Sequence, residues 1–166
     1  MNIRSLIKRF NFRQLFKIAG LGIQRPLYIV PTLSATKKTM VVCDTLYGKE
    51  HHLSGRANAF RHALWNILIC QKVFKISGDE TKSALWTKKV TDLHEKLAPN
   101  EALEEAMDLH NNKLGRIYFK KLTNASEEEL ITFLREQLNK AKLITSKEQT
   151  KIFGDNMVYI SETKSS

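Results

Sequence analysis

Three polar clusters interrupt otherwise apolar helical stretches in this chain. They are Asn58-Ala59-Phe60-Arg61-His62-Ala63-Leu64-Trp65-Asn66, Asp92-Leu93-His94-Glu95, and Met107-Asp108-Leu109-His110-Asn111-Asn112. A helix that only packs has no use for Arg, His, Asp and Asn among Leu, Phe and Trp. Burying such groups costs free energy unless each is paired or hydrogen-bonded. Three clusters between residues 58 and 112 therefore predict one shared polar site.

A helical wheel at roughly 100° per residue sorts the candidates. In the first cluster Asn58, Arg61, His62, Trp65 and Asn66 share one arc, and Phe60, Ala63, Leu64, Ile67 and Leu68 take another. Solvated helix faces usually carry Lys and Glu, so this polar arc reads as the wall of a cleft. In the second stretch Trp86, Val90, Leu93 and Leu97 make the apolar stripe, with His94 at its edge and Glu95 further round. An adjacent His-Glu pair suits two metal ligands, or one ligand and a base. In the third, Asp108, Asn111, Asn112 and Gly115 lie on one side, and Gly115 lets another backbone come close. His110 falls on the opposite side with Met107 and Leu114, so a straight helix does not offer Asp108 and His110 to one site. The competing reading makes all three clusters a buried hydrogen-bond network that fixes the helix arrangement.

The rest of the chain is punctuated as a helical domain. Residues 2–19 read as a basic amphipathic helix, with Ile3, Leu6, Ile7 and Phe10 against Arg4, Lys8 and Arg9. Residues 32–53 are ambiguous: Met40-Val41-Val42-Cys43 reads as a short strand or a helix turn, Tyr47 to Gly55 as a polar loop, and His51-His52 as solvated loop histidines. Ser54 is expected to cap a helix from about Gly55 to Phe74. A capping box Ser77-x-x-Glu80 is expected to open the next, to Leu97. Pro99 stops that helix, Asn100 caps one running to Lys121, and Ser126-x-x-Glu129 opens a last helix. Lys151-Phe153 and Met157-Ile160, separated by Gly154-Asp155-Asn156, read as a hairpin. The expected class is mainly α, about five helices with a short C-terminal β-hairpin. Its parts are a basic helix at 1–22, a helical core at 23–145 carrying the motifs, and a hairpin and tail at 146–166.

Composition narrows the partners. A formal charge of +10 and a pI near 9.7 favour polyanions: nucleic acid, an anionic phospholipid surface, or a phosphate-bearing substrate. Cys43 and Cys70 form no C-x-x-C pair, which removes zinc-ribbon and thioredoxin readings. The N-terminus has no apolar h-region or cleavage site, and no stretch has the eighteen or so apolar residues of a membrane span. The expectation is synthesis in the cytoplasm, export if any without a cleaved signal peptide, and peripheral membrane association through the basic helix.

The order His62, His94-Glu95, Asp108 resembles the metal-binding pattern of the HD phosphohydrolase superfamily. Glu stands here where that family has Asp, and the final Asp comes sooner. A fuller resemblance covers roughly residues 54–116. Ala59-Phe60-Arg61-His62, Trp65-Asn66, His94-Glu95 and Met107 through Asn112 with Gly115-Arg116 resemble an uncharacterised bacterial domain family often found at the C-termini of polymorphic, Rhs-type toxins. Asn58 stands where an Asp is common in that family. The resemblance implies a bacterial toxin-like effector with an immunity protein as partner, and it implies no particular chemistry.

The residues themselves point to a hydrolase of phosphate-containing substrates, using a divalent metal ion. His62, His94, Glu95 and Asp108 are the expected ligands or acid–base groups. Arg61 and Arg116 are expected to hold the anion, and Asn66, Asn111 and Asn112 to orient substrate or water. The alternative is a binding or membrane-associating module without catalysis.

Overall fold

A computed structural model describes residue 20 and residues 22–97 and 101–161. The basic helix expected at 2–19 lies outside them. A 3-10 turn, Pro26–Tyr28, leads into α1, Ile29–Tyr47, which settles the ambiguous stretch as helix. Its many β-branched residues hid it. Pro31 sits in the first turn, where backbone N–H groups have no helical partner anyway. Thr32, Thr36, Thr39 and Thr45 bond their hydroxyls to the carbonyls four residues back, at 2.7–3.0 Å. Thr32 and Thr36 also accept the indole N–H groups of Trp86 and Trp65, at 2.9 and 2.8 Å. These two bonds tie α1 to the helices that carry the motifs.

Gly48, at φ 53°, turns the chain after α1 into a 3-10 turn, Glu50–His52. Then comes α2, Arg56–Ser77, capped by Gly55 rather than Ser54 and ended by Gly78 in the left-handed region at φ 62°. This is the central helix, and α1, α3 (Glu80–Leu97), α4 (Ala102–Phe119) and α5 (Glu127–Asn139) pack around it. Phe60, Leu64, Ile67, Ile69 and Val73 bury its apolar face completely or nearly so. The Ser126–Glu129 capping box forms as expected. The box expected at Ser77 does not: Asp79 Oδ1 accepts the Lys82 N–H at 2.9 Å, and Ser77 ends α2 instead.

Two helix crossings are set by small side chains. A Cβ on Gly115 of α4 would lie 2.5 Å from the Ala63 carbonyl oxygen and 2.8 Å from Asn66 Cβ, so α2 and α4 touch at backbone distance. On α3 the buried residues are Ser83, Trp86, Thr87, Thr91 and Glu95, while Val90 and Leu93 are half-buried. The inner face of α3 is therefore a row of small hydroxyls ending in a carboxyl, one step round from the apolar stripe expected. Those hydroxyls find partners: Cys70 Sγ donates to Thr87 Oγ1 at 3.2 Å, and Thr91 donates to Asn66 at 3.3 Å.

The C-terminal segment carries a two-stranded sheet, as expected in kind but not in pairing. β1, Lys142–Leu143, runs parallel to β2, Val158–Tyr159, and Lys151-Ile152 belong to a one-turn helix, α6 (Gln149–Ile152), not to a strand. A parallel pair needs a crossover, and α6 supplies it. β2 is fastened to the helices on both sides. Asn111 grips the Val158 backbone, donating at 2.8 Å and accepting at 3.0 Å. The Ile160 and Ser161 N–H groups donate to the Ser54 carbonyl at 2.9 and 3.2 Å, and Arg56 donates to the Tyr159 hydroxyl at 2.8 Å. No described helix is long and apolar enough to cross a membrane.

Candidate functional site

The three clusters meet where α2, α3 and α4 pack together. His62 is buried at the centre, with Glu95 of α3 nearest its Nδ1 and Asp108 of α4 nearest its Nε2. Ligand atoms of these three residues lie within 4.8 Å of one another.

Hydrogen bonds fix the tautomer. Arg61 Nη2 donates to His62 Nε2 at 2.8 Å, so that nitrogen is the acceptor. The proton then sits on Nδ1, which donates to Asn112 Oδ1 at 3.1 Å and lies 3.5 Å from Glu95 Oε1. Asn112 donates in turn to Glu95 Oε1 at 2.8 Å. Glu95 thus stands behind the ring and orients it, leaving Nε2 to face Asp108 at 3.3 Å. This is the way proteins set which imidazole nitrogen is reactive.

Nε2 opens toward a cavity of about 140 Å³ lined by His52, Ser54, Asn58, Arg61, His62, His94, Glu104, Met107 and Asp108. Met107 is its single apolar wall residue among the described residues. Asn58 is buried, and its Oδ1 has no hydrogen-bond partner among the described residues. His94 lies exposed at the mouth, edge-on to Trp65 with ring centroids 5.1 Å apart. Ser54 donates to Glu104 across the rim.

Burial dominates the electrostatics. It pushes the Asp108 carboxyl up to about 8, with the Glu95 charge adding to the rise and Arg61 opposing it. It pushes Glu95 up to about 7, against the pull of the Asn112 hydrogen bond and Arg61. It holds His62 well below its ordinary value, helped by Arg61 and His94. His62 is therefore neutral, and its contacts to Glu95 and Asp108 are not ion pairs.

The structure divides the expected residues. His62, Glu95 and Asp108 converge, whereas His94 contributes to the cavity mouth and not to that group. Arg61 lines the cavity. Arg116 does not, because it donates to Asn66 Oδ1 at 2.9 Å on the far side. Asn66 and Asn112 are inside the framework: Asn66 donates to the His62 carbonyl at 3.0 Å and to Asn112 Oδ1 at 2.6 Å. Asn111, expected to orient substrate, is occupied by β2. His110 donates to the Asn156 carbonyl at 2.8 Å and stays out of the site, as its wheel position implied. Glu104 and His52 were not foreseen as wall residues. One reads as an ordinary first-turn acid and the other as part of a polar loop.

The donor set of one imidazole and two carboxylates suits a divalent ion. Both carboxyls hold their protons near neutrality, and a cation would displace them. At His62 Nε2 it would also displace the Arg61 guanidinium. A second group with ligand-like spacing joins Asp44, His51 and His52 at the end of α1. There the expectation of solvated histidines fails for His51, which is completely buried, and Asp44 and His52 are exposed.

Residues 19–142 match the family described as Domain of unknown function (DUF6973). The chain belongs to that family. The match spans all the helices that build the candidate site and stops at the first residue of β1. No curated protein and no solved structure matches the chain.

Proposed function

We propose that this protein is a hydrolase of phosphate esters that works with a divalent metal ion. The observation that carries the reading is the placing of His62 and the Asp108 carboxyl in the wall of a small, almost wholly polar cavity beside the Arg61 guanidinium. A volume of about 140 Å³ takes a phosphate group and leaves the rest of the substrate outside. Arg61 is suited to hold that group by paired N–H bonds.

In this reading Glu95 and Asn112 hold the His62 ring, and the neutral His94 imidazole at the cavity mouth takes the proton of an attacking water. Water's oxygen bonds to phosphorus, the ester P–O bond breaks, and the leaving oxygen departs toward the mouth, where it takes a proton from solvent. A divalent cation held by His62, Glu95 and Asp108 supplies Lewis-acid activation of water and phosphate. The charge of +10 brings polyanionic substrates, phospholipid or nucleic acid, to the surface. Service as a bacterial effector restrained by an immunity protein rests on the motif resemblance, and a small protein that occludes the cavity mouth would be its inhibitor.

The test is hydrolysis of a panel of phosphodiesters, phospholipids and nucleotides with and without added Mn²⁺ or Zn²⁺. His62→Gln and Asp108→Asn, confirmed folded by circular dichroism, should lose activity at least a thousandfold. Folded variants with full activity would sink the proposal. A second reading, a non-catalytic binding module, is favoured by one observation: Asn66, Asn112, Thr91 and Arg116 form a closed network inside the helices. No turnover on any substrate, with a large loss of stability in Asn66→Ala, would select it.

A further inference from the structure

The geometry points to a second cation site, at the rim of the same cavity, made by Asp44, His51 and His52. The construction is local and specific. Asp44 lies in the last turn of α1, and the Gly48 N–H donates back to the Asp44 carbonyl at 3.0 Å as the chain reverses. The following 3-10 turn carries both histidines. His51 Nε2 sits 2.8 Å from Asp44 Oδ1, and the two imidazole centroids are 4.0 Å apart. One ligand atom from each of the three residues lies within 4.8 Å of the others.

Burial separates this group from a chance meeting of loop side chains. The His51 side chain is 0 % exposed, and its Nδ1 is buried with no hydrogen-bond partner among the described residues. An imidazole held so rigidly, beside a carboxylate on an exposed and adjustable helix end, is preorganised on one side and adaptable on the other. Two imidazoles and a carboxylate match the preference of Zn²⁺, with bonds of about 2.0–2.2 Å and one coordination position left for water or substrate. Opening the Nε2–Oδ1 separation by about half an ångström makes that angle tetrahedral at such bond lengths. The exposed Asp44 can supply that movement.

His52 links the two places, because it belongs to this group and also lines the cavity. A cation held there faces the anionic group entering toward Arg61. Its role is to grip substrate rather than to activate water, and that role rests on the phosphoester reading above. The existence of the site does not.

The experiment is Zn²⁺ stoichiometry by equilibrium dialysis and elemental analysis on the intact chain. Co²⁺ visible spectra provide a second readout, independent of activity. Wild type should hold two ions, and Asp44→Asn and the Asp44→Asn/His51→Gln pair should each hold one. His62→Gln/Asp108→Asn should also hold one, with the Co²⁺ spectrum of the rim site retained. Asp44 is exposed, so its single variant tests the site even where replacing His51 harms folding. Wild type binding no ion, or a single ion lost with His62 and Asp108, overturns the rim site. Two ions undisturbed by Asp44→Asn and by the pair overturn it as well. A single ion lost only with Asp44 supports the rim site and removes the ion from the phosphoester proposal. Where the substrate role holds, Asp44→Asn raises KM about tenfold with kcat little changed. Loss of kcat alone overturns that role.

Discussion

Asn112 Oδ1 accepts from both His62 Nδ1 and Asn66 Nδ2, at 3.1 and 2.6 Å, while its own Nδ2 donates to Glu95. One amide thus joins all three helices and decides which nitrogen of His62 faces the cavity.

Asn112→Ala should therefore affect both folding and chemistry. It leaves His62 Nδ1 and Glu95 Oε1 short of a buried partner, at a cost on the order of 3 kcal/mol. Urea denaturation measures this. A loss under about half a kcal/mol would mean that water replaces the amide and that the bond does not orient the ring.

Gly115→Ala should separate α2 from α4. The nearest atom to the new methyl is a backbone oxygen, which cannot rotate away, so the helices must shift. Overpacking of this kind costs about 1–3 kcal/mol. The urea midpoint of the variant checks it, and an unchanged midpoint would contradict the close crossing.

The two arginines should behave differently. Arg61→Ala should weaken binding of anionic substrate, seen as a raised KM or loss of inorganic phosphate inhibition. Arg116→Ala should lower thermal stability instead, because its partners are Asn66 and Thr91 inside the framework. Equal KM effects from both would put Arg116 in the cavity after all.

The metal-free protein should grow less stable as pH rises toward 8. Glu95 and Asp108 keep their protons in the fold up to about 7 and 8, while the unfolded chain releases them near ordinary carboxyl values. The folded state then binds more protons, and stability falls with pH. His62 works the other way, being neutral in the fold, so its contribution is lost as pH falls below its ordinary value near 6.5. Two carboxyls against one imidazole leave a net decline, steepest around pH 6–7 and fading above about pH 8. Thermal melts in EDTA across pH 5–9 should show it. Saturating Mn²⁺ or Zn²⁺ should flatten or reverse the trend by taking the place of the protons.

Much of the site was legible because its residues defy the helices they sit on. The polar arc of α2 was readable from spacing alone, and so was the separation of Asp108 from His110. Glu95 was harder. The wheel put Trp86, Val90 and Leu93 inside, and only Trp86 is buried; the small Thr87 and Thr91 face α2 instead, and Glu95 follows them inward. Asn111 looked like a site residue because nothing in its own helix reveals that a distant strand will claim its amide. The fold shows the same division. A capping box as local as Ser126–Glu129 is readable, whereas β1 is two residues long and carries no period at all. α1 stayed ambiguous because threonines that bond their own helix carbonyls look, in sequence, like strand residues.

The grip of β2 on Ser54 has a practical consequence. Residues 157–161 hold the loop that leads into the first motif, and Ser54 is part of the cavity wall. A fragment ended just after Leu143 would keep every wall residue and lose the latch that sets the shape of the wall. Expression of the motif-bearing stretch by itself should give material that folds loosely and tests as inert. That failure would be an artefact of where the cut was made, and would say nothing about the chemistry.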